Sequence, residues 1–388
     1  MAAAYFDHTA TTPLDPRVRD AMLPWMGESW GNPSSVHRAG QAAREAVEAA
    51  RAEVATLLGA RPPEIVFTAS GTEANNAVLA HVARRAGRLG HVVVSALEHA
   101  SVREGAARLA AAGVEVTRVS PGRDGTVAVE EIVSALRADT LLVALMLASN
   151  ELGTLQPVRQ VAAACRARGI PILCDAVQGV GKVPVDVEDL GVDSLSLGGH
   201  KFNGPLGAAA LWVRRGVELD GLLVGGGQER RRRAGTENVP AIVGLGRACA
   251  LAREELPRRA AHMASLRDRF EAGLGAVVPD TVVHGAAAPR LPNTSHVALR
   301  GVAAEPLLIR LDLRGYAVST GSACASGAAE SSPALAAMGL EPLEARASIR
   351  LSFGMTNTPA EIDAFLPVLA EEAAALRRLA PVSRLARP

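Results

Sequence analysis

Lysine is almost missing from this chain of 388 residues. There are two, and arginine supplies nearly all the other positive charge. Net charge is also missing: a formal +1 gives no general pull toward nucleic acid or an anionic membrane, and neither partner is expected. Aromatic residues make up only 3%, while alanine and arginine are abundant. The four cysteines, Cys165, Cys174, Cys249 and Cys324, are too far apart to form a CxxC metal or redox site. No metal site is expected, and the usage fits a reducing cytoplasm. Long hydrophobic runs are absent too. Stretches such as 141–148 are far too short to span a bilayer and read as buried strands. The opening residues MAAAYFDH carry no basic region and no long apolar segment, so a secretory signal is not expected there.

What is present suits a globular protein: 48% hydrophobic and 21% charged residues, and enough length for a large core. Short apolar runs at 65–69, 91–95, 114–119, 141–147, 170–174, 194–197 and 207–213 read as strands. Helical stretches alternate with them, at 101–112, 128–138 and 157–168 among others. Ser34 or Ser35 can cap a long alanine-rich helix that reaches Leu58. This alternation predicts an α/β fold with a mostly parallel sheet covered by helices on both faces, in a large domain over 15–260. A long helical region at 240–275 and short mixed elements after 281 predict a smaller α+β domain, formed by 1–14 with 261–388. No internal repeat or low-complexity linker separates the two.

Chemistry collects where those strands end. Lys201 lies between glycines in SLGGHKFNGPLG (196–207), at a strand end that opens into a tight loop. An amine can lose its proton and act as a nucleophile, whereas a guanidinium effectively cannot. Taken alone, such a lysine also reads as a surface residue in a turn. Asp175 ends another apolar strand. A lysine and a buried carboxylate at neighbouring strand ends suit pyridoxal phosphate: the amine holds the cofactor covalently and the carboxylate keeps its ring nitrogen protonated. Gln178 could donate to the phenolic oxygen of the same cofactor. Ser70-Gly71-Thr72 opens a helix, where backbone N–H groups, a hydroxyl and the helix dipole all favour phosphate. His200 could add a phosphate contact, and His99 could stack on the ring or relay protons. Cys165, Cys174 and Cys249 have apolar neighbours and read as small core residues. Cys324 stands instead among small residues and glycines in STGSACASG (319–327). That marks an approachable thiol suited to nucleophilic sulfur chemistry.

Ten segments in order resemble the cysteine desulfurases of the NifS/IscS type, in the class V aminotransferase group of fold-type I pyridoxal phosphate enzymes. They are YFDHTATTPLDP (5–16), GNPSSVH (31–37), SGTEANN (70–76), LEHASV (97–102), ASNELGTLQP (148–157), CDAVQGVGK (174–182), GGHKFNGP (198–205), RRAGTENV (232–239), STGSACASG (319–327) and SIRLSFG (348–354). The cysteine segment resembles the long loop of the group I desulfurases rather than the histidine-rich loop of group II. The resemblance implies that Lys201 holds the cofactor, Asp175 and Gln178 contact its ring, and His99 stacks on it. It implies that Gly71, Thr72 and His200 bind phosphate, with Thr236 reaching the phosphate of a partner subunit in a homodimer. Asn150 and Arg350 would hold the substrate carboxylate, the arginine by a two-pronged pair, and Cys324 would be the nucleophile. Three positions depart from the family pattern. Gly198 stands where a serine precedes Gly-His-Lys, Asn203 replaces a tyrosine, and His8 stands where asparagine is common.

The expected reaction converts L-cysteine to L-alanine, with the sulfur held as a persulfide on Cys324 and passed to an acceptor protein. Selenocysteine lyase or another class V lyase or aminotransferase activity is the alternative, and a non-catalytic docking protein is a third reading. Iron–sulfur assembly, tRNA thiolation, cofactor sulfuration and DNA sulfur modification all start from the same persulfide. The arginine-rich stretches 230–233 and 377–387 read as solvated charge or as docking sites for an acidic partner.

Overall fold

The computed structural model describes residues 4–86, 90–320 and 332–379. Seven strands form the central sheet, in the spatial order Ile65–Thr68, Ala209–Val213, Ser194–Gly198, Ile172–Asp175, Thr140–Ala144, His91–Ser95, Glu115–Val119. Only Ala209–Val213 runs antiparallel to its neighbours; the pairs from Ser194–Gly198 to Glu115–Val119 are all parallel. The sheet is buried on both faces, so most of its inner strands lack polar alternation, and Ser194–Gly198 (SLSLG) buries its alternating serines. Val93, Val143 and Leu195 face one core, while Val92, Val94, Leu142 and Leu173 face the other. The edge strand Glu115–Val119 is largely exposed and reads EVTRV. The expected α/β class with a mostly parallel sheet is what the chain forms.

The long alanine-rich helix is Arg38–Leu58, and its cap differs from the expectation. His37 Nδ1 accepts from Gly40 N–H, and neither Ser34 nor Ser35 serves. The backbone N–H of Ser34 is instead turned onto Asn32 Oδ1 at 2.9 Å, which keeps that serine in the preceding loop. Helix Val239–Val277 begins on an Asn238 cap, runs 39 residues through Pro257, and packs against Arg38–Leu58.

A further core holds four of the six phenylalanines. The Phe6 ring centroid lies 5.5 Å from that of Phe353 and 5.3 Å from that of Phe365, both edge-on, and Phe270 packs beside them. Strands Thr281–Val283, Thr294–Leu299 and Ser348–Ser352 form an antiparallel sheet over this core. The N-terminal strand Ala4–Tyr5 pairs in parallel with Tyr316–Ala317, and Asp7 bridges to Ser352. The chain then crosses to the carboxyl ends of the large sheet. Among the described residues, no helix is long and apolar enough to cross a membrane.

One loop is held by force. Glu229, Arg230 and Arg231 have φ of 48°, 55° and 65°, a left-handed conformation that costs ordinary L-residues energy. Glu229 is clamped there by a two-pronged pair with Arg51, at 2.8 Å on each arm, and by the N–H of Phe67 at 2.9 Å. Both side chains are almost fully buried, 3% and 2% exposed. Removing one partner strands a charge in the core. Glu229→Ala is therefore expected to destabilise the fold by about 3–5 kcal/mol, read by urea denaturation. A loss below about 1 kcal/mol would mean the pair does not hold this loop.

Candidate functional site

Asp175 is the last residue of strand Ile172–Asp175 and is buried. Its Oδ1 accepts the N–H of Val177 at 3.0 Å and its Oδ2 accepts Asn75 Nδ2 at 2.7 Å. Asn75, buried on helix Gly71–Ala86, gives its second amide hydrogen to Ser101 Oγ at 2.9 Å. Ser101 Oγ lies 2.9 Å from His99 Nδ1, which also caps helix Ala100–Ala111 by accepting the N–H of Ser101. A hydrogen-bonded chain thus runs from Asp175 through Asn75 and Ser101 to His99. With Nδ1 accepting, the neutral imidazole carries its proton on Nε2. Burial lowers the His99 pKa, Asp175 opposes that, and Lys201 reinforces it, so these three groups share one electrostatic neighbourhood.

Beneath Asp175 lies Glu98. It is buried, and its Oε1 accepts the N–H of Met146 at 2.7 Å. Burial first, and then the charge of Asp175, push its pKa up to about 8.

Lys201 is half-buried, and its Nζ donates to the carbonyls of Thr9 and Ala10, each at 2.8 Å. The arm 7–12 makes most of the remaining contacts. Gln178 Nε2 donates to the Thr9 carbonyl at 3.1 Å, and its Oε1 accepts Lys182 Nζ at 2.7 Å. His200 Nδ1 meets Thr11 Oγ1 at 3.1 Å, and burial followed by Lys201 and Lys182 lowers its pKa to about 4. Asn203 has φ +68°, which asparagine tolerates. Its N–H donates to Thr12 Oγ1 at 2.7 Å, and its Nδ2 donates to the Pro13 carbonyl at 2.9 Å. The departure at 203 thus has a local reason: it ties the loop after Lys201 to the arm. His8 packs flat on Gly354, where an added Cβ would come within 2.2 Å of the ring.

The helix beginning at Gly71 starts on Ser70, whose Oγ accepts the N–H of Glu73 at 3.1 Å. The N–H groups of its first turn have no partner within the helix. Gly71 has no room for a side chain, because a Cβ would meet Val177 Cγ2 at 2.6 Å. Thr72 is exposed beside it. Gly198 is different: a Cβ there would find nothing nearer than 3.6 Å, and its φ is −132°. The missing side chain at 198 is not a packing demand.

Arg350, on strand Ser348–Ser352, is buried. Its Nη1 donates to the Asn150 carbonyl at 2.8 Å and its Nη2 pairs with Asp7 at 2.7 Å. The backbone of Ser319 bridges to Arg350, and Ser332 Oγ bonds to Glu151. Cys324 lies outside the described residues. Thr236 is exposed in the loop before helix Val239–Val277, near the end of strand Ile65–Thr68. Asn75, Ser101, Glu98, Lys182 and Asp7 were not anticipated as site residues. The near-absence of lysine was the one available signal, since both lysines meet here.

The family description Aminotransferase class-V matches residues 4–365. This chain belongs to that family. It is 42% identical over 384 residues to the Methanosarcina thermophila protein "Cysteine desulfurase IscS", covering 98% of this chain and 94% of that one. Its fold is similar to a solved "NIFS-LIKE PROTEIN", with TM-score 0.90 and 37% identity, covering 97% of this chain and all of the other. It is also similar to a structure described as "SspA in complex with cysteine", with TM-score 0.81 and 34% identity, covering 91% of this chain and 99% of the other. The cofactor is pyridoxal 5'-phosphate, and the groups present fit it. A buried carboxylate, an amine and a helix start with further N–H groups unpaired within the helix lie at the strand ends.

Two outcomes follow from this geometry. Between pH about 4.5 and 8 the folded chain keeps a proton on Glu98 that the unfolded chain has lost. Stability should therefore fall as pH rises through that window, by at most about 1.4 kcal/mol per unit from this group. Glu98→Gln, an isostere of the protonated acid, should flatten that slope in urea denaturation between pH 5.5 and 8; an unchanged slope would mean that Glu98 is ionised in the fold. Gly198→Ser should fold normally and bind pyridoxal phosphate roughly tenfold more tightly, by one charge-assisted hydrogen bond. Weaker binding in a spectroscopic titration would contradict a phosphate position beside residue 198.

Proposed function

We propose that this pyridoxal phosphate-dependent cysteine desulfurase moves the sulfur of L-cysteine onto Cys324 as a persulfide, releases L-alanine, and passes the sulfur to an acceptor protein. The observation that carries the role of Cys324 is the anchoring of the segment around it. Ser319 pairs with the backbone of Arg350, and Ser332 bonds to Glu151, the neighbour of Asn150. Five residues of chain reach at most about 17 Å, so a thiol at 324 lies within range of a substrate held at Arg350.

Lys201 would hold the cofactor, with Asp175 at its ring nitrogen, Gln178 at its phenolic oxygen and His99 on its face. The helix start at Gly71 and Thr72, together with His200, would take the phosphate. When bound, pyridoxal phosphate supplies an electron sink for the electrons released at the substrate. Arg350 and Asn150 orient the substrate carboxylate, and Asp7 holds the guanidinium in its plane. His99 is neutral at neutral pH because burial lowers its pKa, so its Nε2–H can donate a hydrogen bond at the site. Lys201 Nζ would be the proton carrier. The Cys324 thiolate attacks the substrate sulfur: an S–S bond forms, the C–S bond breaks, and the three-carbon remainder is protonated and leaves as L-alanine. Carrying sulfur from the substrate to an acceptor needs a thiol that can occupy two places.

We read residues 15–260 as the cofactor-binding domain, and 1–14 with 261–388 as the smaller one. The working form is a homodimer in the cytoplasm, with Thr236 of one copy reaching the phosphate of the other. The exposed Trp30, Val36, Leu206 and Val224 support a covered face. Cys324→Ser should keep the yellow cofactor absorbance and lose alanine production from L-cysteine down to background. Undiminished alanine from that variant would remove Cys324 from the reaction, and faster turnover of selenocysteine or cysteine sulfinate than of cysteine would favour a sister activity.

A further inference from the structure

Among the described residues, the second lysine has no partner of opposite charge. Lys182 is 3% exposed, and the hydrogen bond of its Nζ goes to the neutral amide of Gln178. It borders a small, partly open space of about 20 Å³ behind Lys201, room for roughly one water-sized particle. Among the described residues, no aspartate or glutamate lines this space. The nearby carboxylates are committed elsewhere: Asp7 to Arg350, and Asp15 and Glu255 to Arg17 and Arg259. Two other buried side chains on its wall, His8 and Asn293, have nitrogens without hydrogen bonds: both ring nitrogens of His8 and the Nδ2 of Asn293. The neighbour of His8, Asn357, has its amide turned to Gly354 and Tyr5. Once the Lys182 amine is protonated, a water placed here would bring two hydrogens to a wall made mostly of donors. A particle that only accepts suits the wall better.

We propose that this space is a binding site for one monovalent anion of halide size, held by Lys182, His8 and Asn293. The site does not use the Lys201 amine, so it is compatible with a bound cofactor. Anion binding here is coupled to a proton. Burial, then Lys201, then Arg350 hold the Lys182 amine well below its ordinary pKa, so a proton there is disfavoured until an anion offsets its charge. His8, also lowered by burial to about 4, stays neutral above acid pH, and His200 behaves alike. The other charged groups facing the site are Lys201, Arg259 and Arg350, all cationic. An anion therefore arrives with a proton on Lys182, and its affinity falls as pH rises.

The test uses the cofactor-loaded enzyme, prepared without chloride, with bromide as the probe. Crystals soaked in bromide at pH 6 should give an anomalous peak between Lys182, His8 and Asn293, weaker at pH 8.5. In solution, bromide should raise the melting midpoint over gluconate at equal ionic strength, by about 2 °C at tenfold excess over the dissociation constant. Lys182→Met should lose both effects. If that variant does not fold, the two measurements on the unaltered protein decide alone. A water at the site in both crystals, bromide only at surface arginines, or a peak without the solution shift (binding at crystal concentration only) would each overturn the proposal.

Discussion

The carbonyls of Thr9 and Ala10 each accept from Lys201 Nζ at 2.8 Å, and that pair of hydrogen bonds fixes the centre of the site. The carbonyls can sit there only because the arm is fastened on either side. Phe6 is locked into the phenylalanine core, and the N–H of Thr9 donates to Ser352 Oγ at 2.8 Å. Further on, Thr12 holds the backbone of His200 and Asn203. The arm thus belongs to one core by packing and to the other by hydrogen bonds. Movement of the small antiparallel sheet relative to the large one would be felt first at Lys201, Gln178 and Arg350, since residues 7–12 touch all three.

Around that centre the charges are graded by burial. Asp175 takes two hydrogen bonds from the protein, while Glu98 beneath it takes one and is pushed toward its protonated form. Two buried carboxylates close together cannot both ionise cheaply, and burial falls hardest on Glu98. The amines divide similarly: Lys201 meets two carbonyls, while burial holds the pKa of Lys182 behind it well down. A carboxylate held by two hydrogen bonds and an amine held by two carbonyls thus stand at neighbouring strand ends, an arrangement that suits a cofactor with a basic ring nitrogen and an aldehyde.

The sheet was legible because most strands buried on both faces are apolar runs, and the seven expected runs fell where the strands are, although the exposed edge strand EVTRV is not apolar throughout. Residues at their ends, Asp175 and Lys201, were legible for the same reason: a polar side chain closing an apolar run stands out. The cap of Arg38–Leu58 was not, since His37 does the work usually done by a hydroxyl, and two serines stood nearby as more ordinary candidates. Asn75 and Ser101 were hidden differently. Polar residues in the first turns of helices look like solvent-facing caps, and nothing local marks them as buried links between Asp175 and His99.

The departures at 8, 198 and 203 do not have one cause. Asn203 and His8 are built in: one takes a left-handed turn and ties down the arm, and the other fills the space left by Gly354. Gly198 fills no such role, since neither its φ nor its neighbours demand a glycine. Two of the three departures therefore reshape the wall behind Lys201, where His8 and Asn203 border the same small space as Lys182. On the side facing the arm, a change can be absorbed by residues 8–13. The side facing Asp175 has Asn75, Ser101 and Glu98 packed behind it, and a change there would leave a buried polar group without its partner.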